Sequence, residues 1–149
     1  MNVRDRAFLI EDSLTDNVMI DQYDFHDGCL IDIQSGIDWI VFSLESAEIS
    51  EDELVEDISL SDQATIRGKL HLNGIESIKI NNTTIDVLRK EYDYGEIFDF
   101  EIDDDIVLFV ITWINCYPKP HFESDLFKIE VRAKKIYWEN IPNLVNPFR

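Results

Sequence analysis

Three histidines, two cysteines and thirty-one carboxylates are the side chains with reactive chemistry to offer in this 149-residue chain. A zinc site wants close ligand pairs, Cys-x-x-Cys or His-x-x-x-His, because several donors must converge on one small ion. His26, His71 and His121 are spread along the chain, and neither spacing occurs. His26-Asp27 has the form of one ligand pair of a metal-dependent phosphohydrolase, but the further His and Asp residues of such a site are missing. Phe25-His26-Asp27-Gly28 reads better as a turn, with Gly28 supplying backbone freedom and the His and Asp side chains bonding locally. There is no Gly-x-Ser-x-Gly elbow, no protease context around Cys29 or Cys116, and no phosphate-cradling glycine loop. Paired carboxylates are so numerous that any glycosidase pair drawn from them lacks specificity. The sequence assigns no catalytic residue, no metal ligand and no cofactor.

What the carboxylates do offer is charge. The chain carries −18 formally, and residues 1–60 hold sixteen Asp/Glu against two Arg, while residues 61–149 hold fifteen against eleven Lys/Arg. Crowded like charge costs folding energy and suits solubility or a cationic partner. It excludes the nucleic-acid binders, which must neutralise phosphates with Lys and Arg. Residues 45–62 concentrate it, with Glu45, Glu48, Glu51, Asp52, Glu53, Glu56, Asp57 and Asp62 and no base. Asp12, Asp16, Asp21 and Asp24 extend the acidic run in sequence. A solvated loop is the plain reading of such a stretch, and a docking surface for a basic protein is the sharper one. Neither these acids nor Asp103-Asp104-Asp105 follow the calcium-loop spacing. Tyr92-Asp93-Tyr94, and a second aromatic stretch from Trp113 to Phe122, offer rings that could anchor such an interface.

The elements that must position these groups are strands, because the dominant period is two. Cys29 to Ser35 alternates, Gly36 turns the chain, and residues 37–44 are apolar and aromatic. Residues 64–72 place Ala64, Ile66, Gly68, Leu70 and Leu72 on one face; Phe127, Ile129, Val131 and Ala133 alternate likewise. Asn73-Gly74 predicts a hairpin with a three-residue loop and Gly74 left-handed, pairing His71 with Ile75. Asp103-Asp104-Asp105 predicts a second three-residue loop, setting Phe98, Phe100 and Ile102 opposite Val110, Leu108 and Ile106. Residues 106–114 are apolar on both faces and predict a central strand covered on both sides, too short to span a bilayer as a helix. Ser50 with Glu53 marks a capping box, so residues 51–57 form a short helix, with a second over residues 84–92. The expected fold is mainly β, all-β to α+β: one domain over residues 1–149, an antiparallel sandwich or partly open barrel of seven or eight strands, with residues 1–24 as a loosely packed extension. Two cysteines make no disulfide framework, and with no secretory signal they read as buried thiols in a cytoplasmic protein, a Cys29–Cys116 bridge being the alternative that the sequence leaves open.

In their order, several of these residues resemble small β-rich bacterial proteins found beside polymorphic-toxin loci, including immunity-protein families. Phe25-His26-Asp27-Gly28 precedes a strand, and Gly68-x-Leu70-x-Leu72-x-Gly74-Ile75 follows in the middle. Tyr94-Gly95-Glu96-Ile97, an apolar strand ending at Trp113, and Ile129-x-Val131-x-Ala133-Lys134-Lys135-Ile136-Tyr137-Trp138-Glu139 complete the order. The order carries the resemblance, which spans roughly residues 25–139; the acidic insert has no counterpart. It implies a binder without catalytic residues: an acidic protein that occludes the basic active site of a toxin domain, such as a nuclease. The partner-binding residues expected are Asp24, Glu45, Glu48, Glu51, Asp52, Glu53, Glu56, Asp57, Tyr92 and Tyr94, with no nucleic acid or membrane as partner. The alternative is a β-domain that self-associates, as a homodimer for instance, through sheet edges, its acidity serving solubility.

Overall fold

The structure, a computed structural model, describes residues 20–115, 121–122 (backbone only) and 126–148. Its elements are eight antiparallel strands: β1 (Cys29–Gly36), β2 (Trp39–Glu48), β3 (Thr65–Ile80), β4 (Thr83–Thr84), β5 (Tyr94–Asp103), β6 (Ile106–Asn115), β7 (His121–Phe122) and β8 (Phe127–Asn140). Among the described residues two single-turn 3-10 helices, Ile20–Gln22 and Glu51–Glu53, are the helical content. The sheet runs β2-β1-β5-β6-β8-β3-β4, with β7 on β6, and β2 also pairs β3. The ladder therefore closes on itself as a barrel. Its seam is between β1 and β5, which pair only as Cys29↔Glu96 and Leu30↔Gly95. The chain before β1 extends that seam, with Asp27 N donating to Ile97 O (2.8 Å) and Ile97 N to Gly28 O (2.9 Å). The mainly β expectation holds. Among the described residues no helix is long and apolar enough to cross a membrane.

Alternation fills the interior. Phe42, Leu44, Leu70, Leu72, Phe109, Val131 and Trp138 are buried. Phe109 packs on Phe42 and on Phe100, each at 4.8 Å between ring centroids. Each such side chain contributes about 1.5–3 kcal/mol by leaving water. Of the extension expected over residues 1–24, residues 1–19 lie outside the described residues, while Ile20 and Tyr23 are part of this core. Gly68 sits where β3 crosses Trp138, and a Cβ there would overlap the Glu139 carbonyl oxygen and the indole ring. Gly68→Ala is expected to lower stability by about 3 kcal/mol, the cost of overpacking a site with no room to give; urea unfolding measures it.

Four local expectations are corrected. Asn73-Gly74 is no hairpin: β3 runs straight through it, pairing β8 from Gly68↔Asn140 to Ile80↔Ile129. Gly74 is left-handed (φ 72°) as expected, but it serves a bend. The Gly74 N–H donates to Asp38 O and the Ile75 N–H to Asp38 Oδ1, both at 3.0 Å, so the β1–β2 turn satisfies the bend and the chain need not reverse. The reversal comes at Asn81-Asn82, both left-handed, between Ile80 and Thr83; that is the primed two-residue hairpin turn. It also displaces the helix expected over 84–92, which begins with strand β4. The β5–β6 loop has two residues, pairing Asp103 with Ile106 and Phe100 with Phe109. A bulge between Ile97 and Asp99 resets the register, turning Ile97 inward and leaving Phe98 54 % exposed. Strand β6 is central, between β5 and β8, yet its outward residues Ile106, Leu108 and Val110 are only half-buried, so one face is covered and not two.

Candidate functional site

The acidic segment leaves β2 at Glu48 and returns at Thr65. Its first turn is a capping box: Asp52 N donates to Ser50 Oγ (3.3 Å) and Ser50 N to Glu53 Oε1 (2.8 Å). The helix stops at Glu53, short of the expected Asp57, because the next free amides are taken elsewhere. Val55 N and Glu56 N donate to the Tyr23 hydroxyl at 3.2 and 3.3 Å. That hydroxyl donates in turn to Glu56 Oε1. Burial, and then the Glu56 hydrogen bond, hold the Tyr23 phenol above its usual pKa. At the far end Ile49 N donates to Ala64 O (2.7 Å), and Ile49 and Ile58 are buried. The segment is thus a fixed surface feature with apolar roots.

On this frame Glu48, Glu51, Asp52, Asp57 and Asp62 are exposed and take no ion pair among the described residues. Glu53 is exposed but holds the cap, and Glu56 is half-buried between Tyr23 and Gln22. Asp24 lies alongside: its carbonyl accepts from Ala47 N (3.4 Å) and its carboxylate from His26 N (2.9 Å). Glu48, Glu51 and Asp62 also edge a concavity of about 560 Å3 whose floor includes Ile49, Leu60 and Ala64. Carboxylates at the mouth and an apolar floor suit a Lys or Arg side chain, whose head is charged and whose stem is not.

Glu45 does not belong to this surface. It is 0 % exposed. Its side chain points away from the barrel interior and is covered by the C-terminal segment, where Asn146 Nδ2 donates to Oε1 (2.5 Å). Arg67 Nε (2.8 Å) and Thr65 Oγ1 (2.6 Å) donate to Oε2. Burial alone would raise the Glu45 pKa; the hydrogen bonds from Thr65, Arg67 and Asn146, with the Arg67 charge, overcome it and hold the group below the ordinary value of 4.5. Arg67 also donates to Leu144 O (3.0 Å) and to Gln63 Oε1 (2.5 Å). This network joins β2, β3 and residues 144–146, and no local motif signals it.

The aromatic anchors are engaged inside the protein. Tyr92 stacks on Trp113 at 5.7 Å and Tyr94 on Phe148 at 4.8 Å, and both are half-buried. The stretch 116–120 with Cys116, the side chains of His121 and Phe122, and Asp12 and Asp16 lie outside the described residues; Cys29 is buried. In the 25–28 turn the left-handed residue is Asp27 (φ 70°), not Gly28. Gly28 is there for space, since a Cβ would overlap the Glu45 and Phe25 carbonyl oxygens. His26 reaches Phe98 O through Nδ1 (2.8 Å) and lies 3.6 Å from Asp27 Oδ1 through Nε2. Among the described residues no three His, Cys, Asp or Glu side chains gather as a metal site. The Phe98 carbonyl, and then the Asp27 charge, raise the His26 pKa above its ordinary value. Its proton-NMR titration midpoint is expected above that of a model imidazole, and Asp27→Asn should bring it down.

No family model, no characterised protein and no solved structure matches this chain. The site therefore rests on its own geometry.

Proposed function

We propose that this chain is a non-enzymatic binding protein for a basic protein partner, of the immunity-protein kind, neutralising a toxin domain by covering its cationic active site. The observation that carries this reading is the set of five exposed carboxylates (Glu48, Glu51, Asp52, Asp57 and Asp62) without intramolecular ion pairs among the described residues, on a segment pinned by its cap, by Tyr23 and by Ile49. A fixed anionic surface pays little ordering entropy on binding, and its field raises encounter rates with cationic partners. The groove edged by Glu48, Glu51 and Asp62 gives one partner Lys or Arg a specific seat. Asp24 extends the field, while Glu45, Tyr92 and Tyr94 contribute to the scaffold.

Self-association through sheet edges is the weaker reading. The ladder closes on itself, and closure removes most of the unpaired strand edge that such association needs.

The test is affinity capture from cells that make the protein naturally, at about 50 mM and about 500 mM salt, conditions across which surface charge pairs go from strong to screened. The reading expects one basic protein retained at low salt, whose own activity, nuclease or other, is lost in the complex. A captured protein that stays active when bound, or the absence of any basic partner, would overturn it.

A further inference from the structure

Strands β1, β2 and β3 carry a row of polar side chains on the face turned away from the barrel core. Asp32 pairs with Ser43, and Ser43 pairs with Lys69, so neighbouring Cβ atoms in the row are about 5 Å apart. The C-terminal segment crosses beside this row and turns it into one wall of a groove. The groove has a volume of about 300 Å3, with Leu144, Pro147 and Phe148 on the opposite side and Lys90 closing it.

Two features of the groove are unexplained by folding. The Ser43 side chain lines it and is only 7 % exposed, yet among the described residues no hydrogen bond reaches its hydroxyl. A buried hydroxyl left unpaired has given up its hydrogen bonds to water with none in return. The Lys69 ammonium makes no close ion pair among the described residues, although its charge helps to lower the pKa of Glu139, in a chain with more than twice as many acids as bases. Its cross-strand neighbour Glu139 is turned to His71, whose Nε2 lies 2.8 Å from Glu139 Oε1. Lys90 donates to Asp93 O (3.0 Å), lies 3.9 Å from Asp32 Oδ1 and sits 5.6 Å from the centre of the Phe148 ring.

From this we infer that the groove between Ser43, Lys69, Lys90 and Phe148 binds a small monocarboxylate carried on a flat or short apolar group. Lys69 and the Ser43 hydroxyl donate to one side of the anion and Lys90 to the other, while Ile31, Leu144 and Phe148 cover the apolar body. The charge count selects the anion: among the described residues that line the groove, two ammonium groups against the Asp32 carboxylate leave one positive charge. A monocarboxylate matches it. A phosphate dianion would bring one negative charge too many into a molecule already at −18. Among the described residues no Arg lines the groove, and Arg67 is committed to Glu45, so none of them offers there the fork geometry that favours phosphate. The volume accommodates a ligand of about a dozen non-hydrogen atoms, at the lower end for small-molecule sites. This site is separate from the acidic surface and does not depend on it.

The test is a 15N-HSQC titration of the intact chain with sodium benzoate, sodium hexanoate and inorganic phosphate, each against sodium chloride at equal ionic strength. Benzoate or hexanoate is expected to shift the Ser43, Lys69 and Phe148 amides saturably. Lys69→Met should weaken that binding about tenfold and Ser43→Ala about threefold, the usual losses for a charged and a neutral donor. Both positions lie on the outer face; should Lys69→Met fail to fold, Ser43→Ala and Lys90→Met read the same site. Shifts no larger than with sodium chloride, shifts unaffected by these variants, or saturation by phosphate at lower concentration than by either carboxylate would overturn the assignment.

Discussion

Glu45→Ala lowers the unfolding free energy by about 3–5 kcal/mol, the cost of removing one member of a buried, hydrogen-bonded ion pair and stranding the other. Arg67 is 14 % exposed at its side chain and would lose its only carboxylate partner among the described residues; Thr65 and Asn146, both buried, would lose their acceptor. Because Asn146 and Leu144 anchor the C-terminal segment through this network, the variant is also expected to lose residues 141–148 to limited proteolysis earlier than the parent chain. Glu45→Gln keeps the shape and removes the charge, and should cost less, about 2 kcal/mol, in line with a hydrogen bond to a charged group. The sign with pH follows from the depressed native pKa of Glu45. A carboxyl held lower in the folded than in the unfolded state contributes stability above its unfolded pKa and loses it as pH falls through the folded one. The gap between parent and Glu45→Gln should therefore be full at pH 7 and close as pH falls through the ordinary carboxylate range and then through the lower pKa of the folded state. Glu139, lowered chiefly by its hydrogen bond to His71, acts in the same direction over the same acid limb. Urea unfolding at several pH values measures both effects.

The second large effect concerns binding and leaves the fold alone. Converting Glu48, Glu51, Asp52 and Asp57 together to Lys replaces four negative charges by four positive ones at exposed positions with no ion pair to break among the described residues. Glu53 and Glu56 are best left in place, since they hold Ser50 N and the Tyr23 hydroxyl and their loss would confuse binding with folding. Affinity for the proposed basic partner should fall by about 10²-fold or more at low salt, most of it through slower association, as expected where complementary fields steer encounter. Thermal stability should hold or rise slightly, because the substitution relieves self-repulsion in an over-acidic molecule.

How far these features could be read in the sequence depended on how local their causes are. The alternation from Phe127 to Ala133 and the capping box at Ser50 are written in neighbouring residues, and both form where expected. The face alternation of 64–72 is equally local. Asn73-Gly74 misled because its bend is satisfied by Asp38, thirty-seven positions from Ile75, and because β8 offers one continuous partner to both halves of β3. The true turn, Asn81-Asn82, carries an equally plain signal of two residues tolerant of positive φ. The bulge at Ile97–Asp99 sets the β5–β6 register and has no marker of its own. Glu45 was the least legible. In sequence it is one more acid in an acidic run, and its burial is decided by Asn146, 101 positions away. Charge composition thus located the surface, whereas tertiary cover decided which of its members remain on it.

Capture of a cationic protein by the exposed carboxylates of residues 48–62, as proposed, works through long-range attraction. Its most direct measurement is the association rate of the captured basic partner, by stopped flow, from about 20 to about 500 mM salt. A rate near 10⁸ M⁻¹ s⁻¹ is expected at low salt, falling by about 10²-fold across the series in the parent chain and nearly flat in the fourfold Lys variant. A rate independent of salt in the parent, or the same steep fall in the Lys variant, would contradict it.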